Sequence, residues 1–307
     1  MANKSHTSVP APRDSSTSAV KKDPLIDLLA GFTAGCATTL AVHPLDLLKV
    51  RLQIDNKGPS QINGHHLINV VREIRSDDGL SAFYRGLAPN LVGNAVSWGA
   101  YFYFYETIKA SLGRSPAKDS LGSMGYFASA GLAGTLTALL SNPIWVVKTR
   151  MLSTSAKRQG AYTGIFNGLW QLARYEGFRG YFRGILPSLV SVGNGAIQLM
   201  VYENLKILAA PDGTPLSTSW YIACSMLSKT AASLAMYPLQ VVRSRLQRYD
   251  ADNVYASMRD VIRQTVVTEG LSGLYKGLVL NLVRVLPATC VTFVVYEHTR
   301  NILHSGL

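Results

Sequence analysis

The chain has 307 residues, 48% of them hydrophobic and only 16% charged. That charged fraction is far below the roughly 25% of soluble domains and argues for a membrane protein. Its net charge of +12 calls for anionic surroundings, whether lipid headgroups against basic loops or an anionic small molecule. Cys36, Cys224 and Cys290 lie in apolar stretches without metal-ligand spacing, so they are expected to be buried small hydrophobes and no disulfide framework or metal site is predicted.

Residues 1–22 are rich in Ser, Thr, Pro, Ala and Lys and are predicted to be a disordered polar tail. A first apolar stretch, 25–48, carries Gly31-x-x-x-Gly35, small residues that would let helices approach closely in lipid. It ends in Pro44-Leu-Asp46-Leu-Leu-Lys49-Val-Arg51-Leu-Gln53. A basic loop follows, with the amphipathic pattern Leu67 to Ile74 of a surface helix and with His65 and His66, expected to be solvated. Asp78-Gly79 then leads to Tyr84-Arg85-Gly86. A second apolar stretch, 88–105, ends in Tyr105-Glu106-Thr-Ile-Lys109.

The same order returns twice. The stretch 123–147, with Gly131-x-x-Gly134, leads into Pro143-Ile-Trp145-Val-Val-Lys148-Thr-Arg150-Met-Leu152, then Glu176-Gly177, Phe182-Arg183-Gly184, the stretch 186–202 and Tyr202-Glu203-Asn-Leu-Lys206. The stretch 219–242 leads into Pro238-Leu-Gln240-Val-Val-Arg243-Ser-Arg245-Leu-Gln247, then Glu269-Gly270, Tyr275-Lys276-Gly277, the stretch 280–296 and Tyr296-Glu297-His-Thr-Arg300. The prolines are 99 and 95 residues apart. The predicted fold class is therefore an all-α membrane protein of six spans, in three tandem repeats at 23–118, 119–212 and 213–307, related by an axis along the membrane normal. Of the 30 Lys and Arg, 19 lie in the three loops after the prolines, which makes that side the inside.

Two cations, Lys229 and Arg284, sit in spans where topology does not need them. Lys229 precedes Gln240 by 11 residues, close to three helical turns, and so shares its face. Intramembrane charge of this kind is expected to meet a ligand. A phosphate loop, a His-Glu-x-x-His pair and a Gly-x-Ser-x-Gly elbow do not occur in the sequence, so an enzyme is not expected.

The triplicated motifs resemble the signature of the mitochondrial carrier family, over residues 25–303. Within it, Asn94 to Phe102, Asn142-Pro-Ile-Trp145 and Gly160-Ala-Tyr-Thr-Gly164 resemble the branch that carries FAD and folates. Pyrimidine nucleotide and NAD carriers share the Pro-x-Trp variant. The resemblance implies pseudo-threefold symmetry, short matrix helices and alternating access. It also implies transport of an anionic small molecule such as FAD, no resident cofactor, bound cardiolipin, a monomer and no nucleic-acid partner. The location implied is the mitochondrial inner membrane with both termini in the intermembrane space, or alternatively the peroxisomal membrane.

By position, the resemblance assigns kinks to Pro44, Pro143 and Pro238. It assigns a matrix gate in which Asp46 pairs with Lys148, Lys49 bonds Gln240, and Trp145 faces Arg243 as a cation–π partner, braced by Gln53 and Gln247. A cytosolic gate would pair Lys109 with Glu203, Lys206 with Glu297 and Arg300 with Glu106, and with three ion pairs it would be the stronger. Substrate contacts fall at Gly93, at Ser191 with Val192, and at Arg284, with a register defined to one residue, joined by Lys229. Asn94, Trp98 and Asn194 would hydrogen-bond or stack on a heterocycle, Trp98 being equally suited to plain helix packing.

Overall fold

The computed structural model describes residues 24–55, 64–113, 123–210 and 216–305; the expected polar tail, 1–22, lies outside them. Everything regular among the described residues is helical. The first repeat comprises α1 (Pro24–Ile54), α2 (Gly64–Asp78), a 3-10 turn (Leu80–Tyr84) and α3 (Leu87–Gly113). The second comprises α4 (Ser123–Ser153), α5 (Ile165–Tyr181), α6 (Ile185–Ser191) and α7 (Asn194–Ala209). The third comprises α8 (Thr218–Leu246), α9 (Ala251–Val254), α10 (Met258–Glu269), a 3-10 turn (Leu271–Tyr275), α11 (Leu278–Val283) and α12 (Val285–Ser305).

Among the described residues four stretches are long and apolar enough to cross a membrane by themselves: Ile26–Ile54, Met124–Ser153, Ile185–Ala209 and Leu271–His304. Helices α3 and α8 match them in length, at 27 and 29 residues, or roughly 40 Å at 1.5 Å per residue. Helix α8 carries Lys229 within its length. The most extensive seams join one repeat to the next: α3 on α4, α6 and α7 on α8, and α12 back on α1, closing a ring. Thr38 and Thr292 share a hydroxyl hydrogen bond of 2.7 Å across that closing seam.

Small residues contribute less to these seams than their spacing suggests. Of the four glycines singled out, only Gly134 makes a close approach, its missing Cβ leaving room for Val192; Gly31, Gly35 and Gly131 face nothing within 4 Å. Likewise Cys224 is buried, Cys36 half-buried and Cys290 exposed. An apolar side chain in a span is satisfied by lipid as well as by a core.

The second span is not one rod in every repeat. Helix α3 runs unbroken, whereas Val192 and Gly193 separate α6 from α7 and Arg284 separates α11 from α12. In the third repeat Pro287 lacks the N–H that would bond Val283. In the second, Val192 and Gly193 donate to carbonyls three residues back, Leu189 and Val190, in a tightened turn.

The six motif glycines all have positive φ. Gly79, Gly177 and Gly270 have φ of 75°, 64° and 72°, and Gly86, Gly184 and Gly277 have 77°, 67° and 79°, a region that penalises any side chain. Gly79 and Gly270 end their surface helices, Gly177 kinks α5 near its end, and the second set turns the chain into the next span. A Cβ on Gly277 would also lie 3.2 Å from the Lys49 carbonyl, and one on Gly184 3.4 Å from that of Arg243. Each turn thus packs on the first helix of the following repeat.

Candidate functional site

The prolines are the corners from which the site is built. The residue before each one, His43, Asn142 and Tyr237, is fully buried and reaches the carbonyl of the basic residue before the turning glycine. His43 Nε2 lies 2.9 Å from Arg85 O. Asn142 Nδ2 donates to Arg183 O at 3.2 Å and to Tyr181 O at 2.6 Å. The Tyr237 hydroxyl donates to Lys276 O at 2.9 Å. Three unlike side chains make the same bond, each satisfying a carbonyl that would otherwise be orphaned by the turn.

Ion clusters hold the same corners from outside. Arg150 grips Glu176 through two bonds of 2.5 and 2.9 Å, and Arg183 adds a third at 3.0 Å. Burial raises the Glu176 pKa, but the bonds from Arg150 and Arg183 outweigh it and hold the carboxyl below its ordinary value. In the third repeat Glu269 takes Arg245 at 2.7 Å and Lys276 at 2.5 Å, with all three side chains buried. In the second and third repeats the acidic-Gly and aromatic-basic-Gly motifs are therefore one structural device with the second basic residue of the proline motif. His66 belongs to this layer too. Instead of being solvated it is buried, with Nε2 2.9 Å from Asp55 Oδ2, because α2 packs its inner face on the end of α1.

Inside the ring lies a cavity of about 650 Å³, within the range of small-molecule sites. Its floor is at the proline end. Lys49 Nζ donates to Gln240 Oε1 at 3.1 Å and to Asn281 Oδ1 at 2.8 Å. Asp46 does not pair with Lys148; its carboxylate takes Arg284, which reaches down from the break between α11 and α12. Lys148 Nζ instead sits 4.7 Å over the Trp145 ring, and the Arg243 guanidinium lies 6.0 Å from the same ring. The indole is fixed by its N–H bond to Ser97 Oγ at 3.2 Å.

Beneath this layer Gln53 accepts from Ser244 at 2.7 Å and donates to the Tyr237 hydroxyl at 3.2 Å. Gln247 accepts from Thr149 at 3.0 Å and donates to Arg183 O at 3.2 Å. Leu152, the third equivalent, offers only its carbonyl, to Arg51 Nε at 2.9 Å.

Of the expected ligand contacts, Asn94, Ser191, Asn194, Lys229 and Arg284 line the cavity. Lys229 is exposed there and has no hydrogen-bond or ion-pair partner among the described residues. Gly93 lies one position off, against Ile144 and Trp145, so Asn94 supplies the first repeat's lining. Val192 is turned towards Gly134. Trp98 is not in the lining; it is 62% exposed and stacks on Phe102 with ring centroids 5.9 Å apart. The lining holds five cations, Lys49, Lys148, Lys229, Arg243 and Arg284, and one carboxylate, Asp46.

The other end of the ring differs from expectation. Lys109 bonds Glu106 at 2.6 Å and Lys206 reaches Glu203 at 3.5 Å, each within its own helix. Arg300 takes Asp27 at 3.5 Å, and the Tyr296 hydroxyl donates to the same carboxylate at 3.0 Å. Glu297 has no partner among the described residues. Lys109 and Lys206 thus pair within their own helices, while Arg300 pairs with α1 across the closing seam.

A ring of spans around a polar, cation-rich cavity defines a membrane transporter rather than an enzyme. The family model described as mitochondrial carrier protein matches residues 20–116, 119–212 and 214–307, and the chain belongs to that family. It is 38% identical over 298 residues to the mitochondrial FAD carrier protein of Saccharomyces cerevisiae, covering 90% of this chain and 96% of the relative. It is 37% identical to the chloroplastic folate transporter 1 of Arabidopsis thaliana (89% and 94% covered) and 36% identical to mitochondrial nicotinamide adenine dinucleotide transporter 2 of the same plant (87% and 77%).

Proposed function

We propose that this chain carries FAD across the mitochondrial inner membrane by alternating access. The observation that carries the reading is the surplus of four formal positive charges round the cavity, with Lys229 unpartnered among the described residues. A pyrophosphate suits such a site, Arg284 as a bidentate donor and Lys229 as a point charge, while Asn94, Ser191 and Asn194 offer hydrogen bonds to a heterocycle. The similarity to an FAD carrier over nearly the whole chain supports the same choice. Folates are the second reading, because their glutamate carboxylates suit the same cations and a folate transporter is almost as similar.

In this reading the proline end faces the matrix, both termini face the intermembrane space, and the protein works as a monomer. Lys49, Lys148, Trp145, Arg243 and Gln240, with Asp46, form the matrix gate over the Gln53 and Gln247 braces. On closing at the other end, Lys109, Lys206 and Arg300 exchange their present partners for Glu203, Glu297 and Glu106. Arg75, Arg85 and Lys157 border a groove of about 820 Å³ between the first two repeats that suits an anionic lipid such as cardiolipin.

Uptake of labelled FAD into liposomes holding the purified protein, with folates, NAD and pyrimidine nucleotides as competitors, tests the substrate. Lys229→Ala and Arg284→Ala are expected to abolish uptake while leaving the melting curve intact. Normal uptake by both variants would overturn the site, and preferential competition by a folate would move the assignment to the second reading.

A further inference from the structure

We propose that Asp46 is a tethered competitor for the ligand's anionic group: in the empty cavity its carboxylate occupies Arg284, and only an anion that displaces it gains that cation. The inference rests on the proposed role of Arg284 as a ligand contact and adds a selectivity step to it.

The cations of the cavity fall into three kinds. Lys229 has no partner among the described residues and is available to any anion. Lys148 and Arg243 lie against the Trp145 ring, and Lys49 is held by two amide oxygens. Arg284 alone is already paired with a carboxylate. Asp46 is the single acid in the lining and has 10% of its side chain exposed, against 35% for Arg284. The guanidinium is therefore reachable from the cavity while its present partner is largely shielded.

Two consequences follow from charge alone. A ligand with one anionic group binds Lys229 and leaves the Asp46–Arg284 pair in place. A ligand with two adjacent anionic groups, such as a pyrophosphate, engages Lys229 with one and competes for Arg284 with the other. Displacement does not strand the carboxylate, because Lys49 and Lys148 line the same floor; a buried carboxylate left without any cation would be prohibitive. Asp46 is thus a positioning residue, setting how much negative charge a ligand must bring before the site is fully engaged. A competitor that occupies the site most of the time lowers apparent affinity by the fraction of time it is bound.

The experiment measures binding of FAD and of uncharged riboflavin to the purified protein by ligand-induced thermal shift and by titration. Asp46→Asn is expected to tighten FAD binding by roughly three- to tenfold and to leave riboflavin unchanged. Asp46→Glu, which keeps the competitor, is expected to stay near wild type. In an Arg284→Ala background the gain from Asp46→Asn is expected to vanish. Asp46→Ser is measured alongside, so that misfolding of one variant leaves the other to decide. The proposal is overturned by unchanged FAD affinity in the folded Asp46 variants, by a gain that persists without Arg284, or by an equal gain for riboflavin. If Arg284→Ala alone leaves FAD binding untouched, the ligand-site reading itself has failed, a result distinct from the others.

Discussion

The two ends of the ring carry similar charges in the same repeats and use them in opposite ways. At the proline end many polar side chains are buried or half-buried and bonded across repeats: Gln53 to Ser244, Gln247 to Thr149, Lys49 to Gln240, Arg245 Nε to Gln53 O at 2.9 Å. At the Tyr-Glu end, Lys109 and Lys206 bond acids three residues back on their own exposed helices. Side-chain repertoire therefore does not decide which end is shut. The proline end is closed by amides, an indole and captured carbonyls, and the carboxylate of the cavity lining, Asp46, pairs with Arg284 instead of Lys148.

That contrast can be broken by substitution. The largest effect is expected from Arg245→Ala, which takes one of two cations from the buried Glu269 and the donor from Gln53 O. Losing one partner of such a pair lowers stability by about 3–5 kcal/mol, read as a collapse of the thermal midpoint in detergent. Next comes Asn142→Ala, which takes the side-chain donor from the Tyr181 carbonyl and one of two donors from that of Arg183. About 1–3 kcal/mol of lost stability is expected, measured in the same way. At the Tyr-Glu end Glu203→Gln removes an exposed pair and is expected to change stability by about half a kcal/mol or less. Equal losses at both ends would dissolve the comparison.

Acid sharpens it further. The folded Glu176 carboxyl titrates below its ordinary value, with burial opposing and the bonds from Arg150 and Arg183 prevailing. Its contribution is fully present above the unfolded glutamate pKa of about 4.3 and is lost as pH falls through the folded value. Melting curves taken down that window should fall less steeply for Glu176→Gln than for the wild type. The smallest effect on stability is expected from Asp27→Asn, which frees Arg300 and the Tyr296 hydroxyl at an exposed corner. Its readout is positional: cysteine labelling of the cavity from the Tyr-Glu side should decline as Arg300 becomes available to Glu106.

Much of this architecture is legible in the sequence because a triplicated motif reports on itself. Pro44, Pro143 and Pro238, the paired glycines and the Tyr-Glu signals fix the repeat, the number of spans and the sharing of a face by Lys229 and Gln240. Partners across the axis are less legible. Asp46 had two cations in reach, and its choice of Arg284 depends on the break before Pro287, which a span read as one rod conceals. Trp98 and Gly93 show the same limit: a one-residue change of register rotates a side chain by about 100° on a helix, enough to take it from lining to seam. The corner bonds of His43, Asn142 and Tyr237 escaped notice because a carbonyl accepts from many donors, so the three positions share geometry without sharing identity. Asp27 falls outside every motif.

Those corner bonds also decide which parts can move. Each ties the first helix of a repeat below its proline to the start of the second, and in the last two repeats the ion clusters add the surface helix to the same block. A block closed in this way has no internal joint. Release of the sealed end must then come from sliding of one block past the next, with the amide and carbonyl contacts between blocks parting together. Unlatching is accordingly concerted: a crosslink between any two neighbouring blocks should arrest all three.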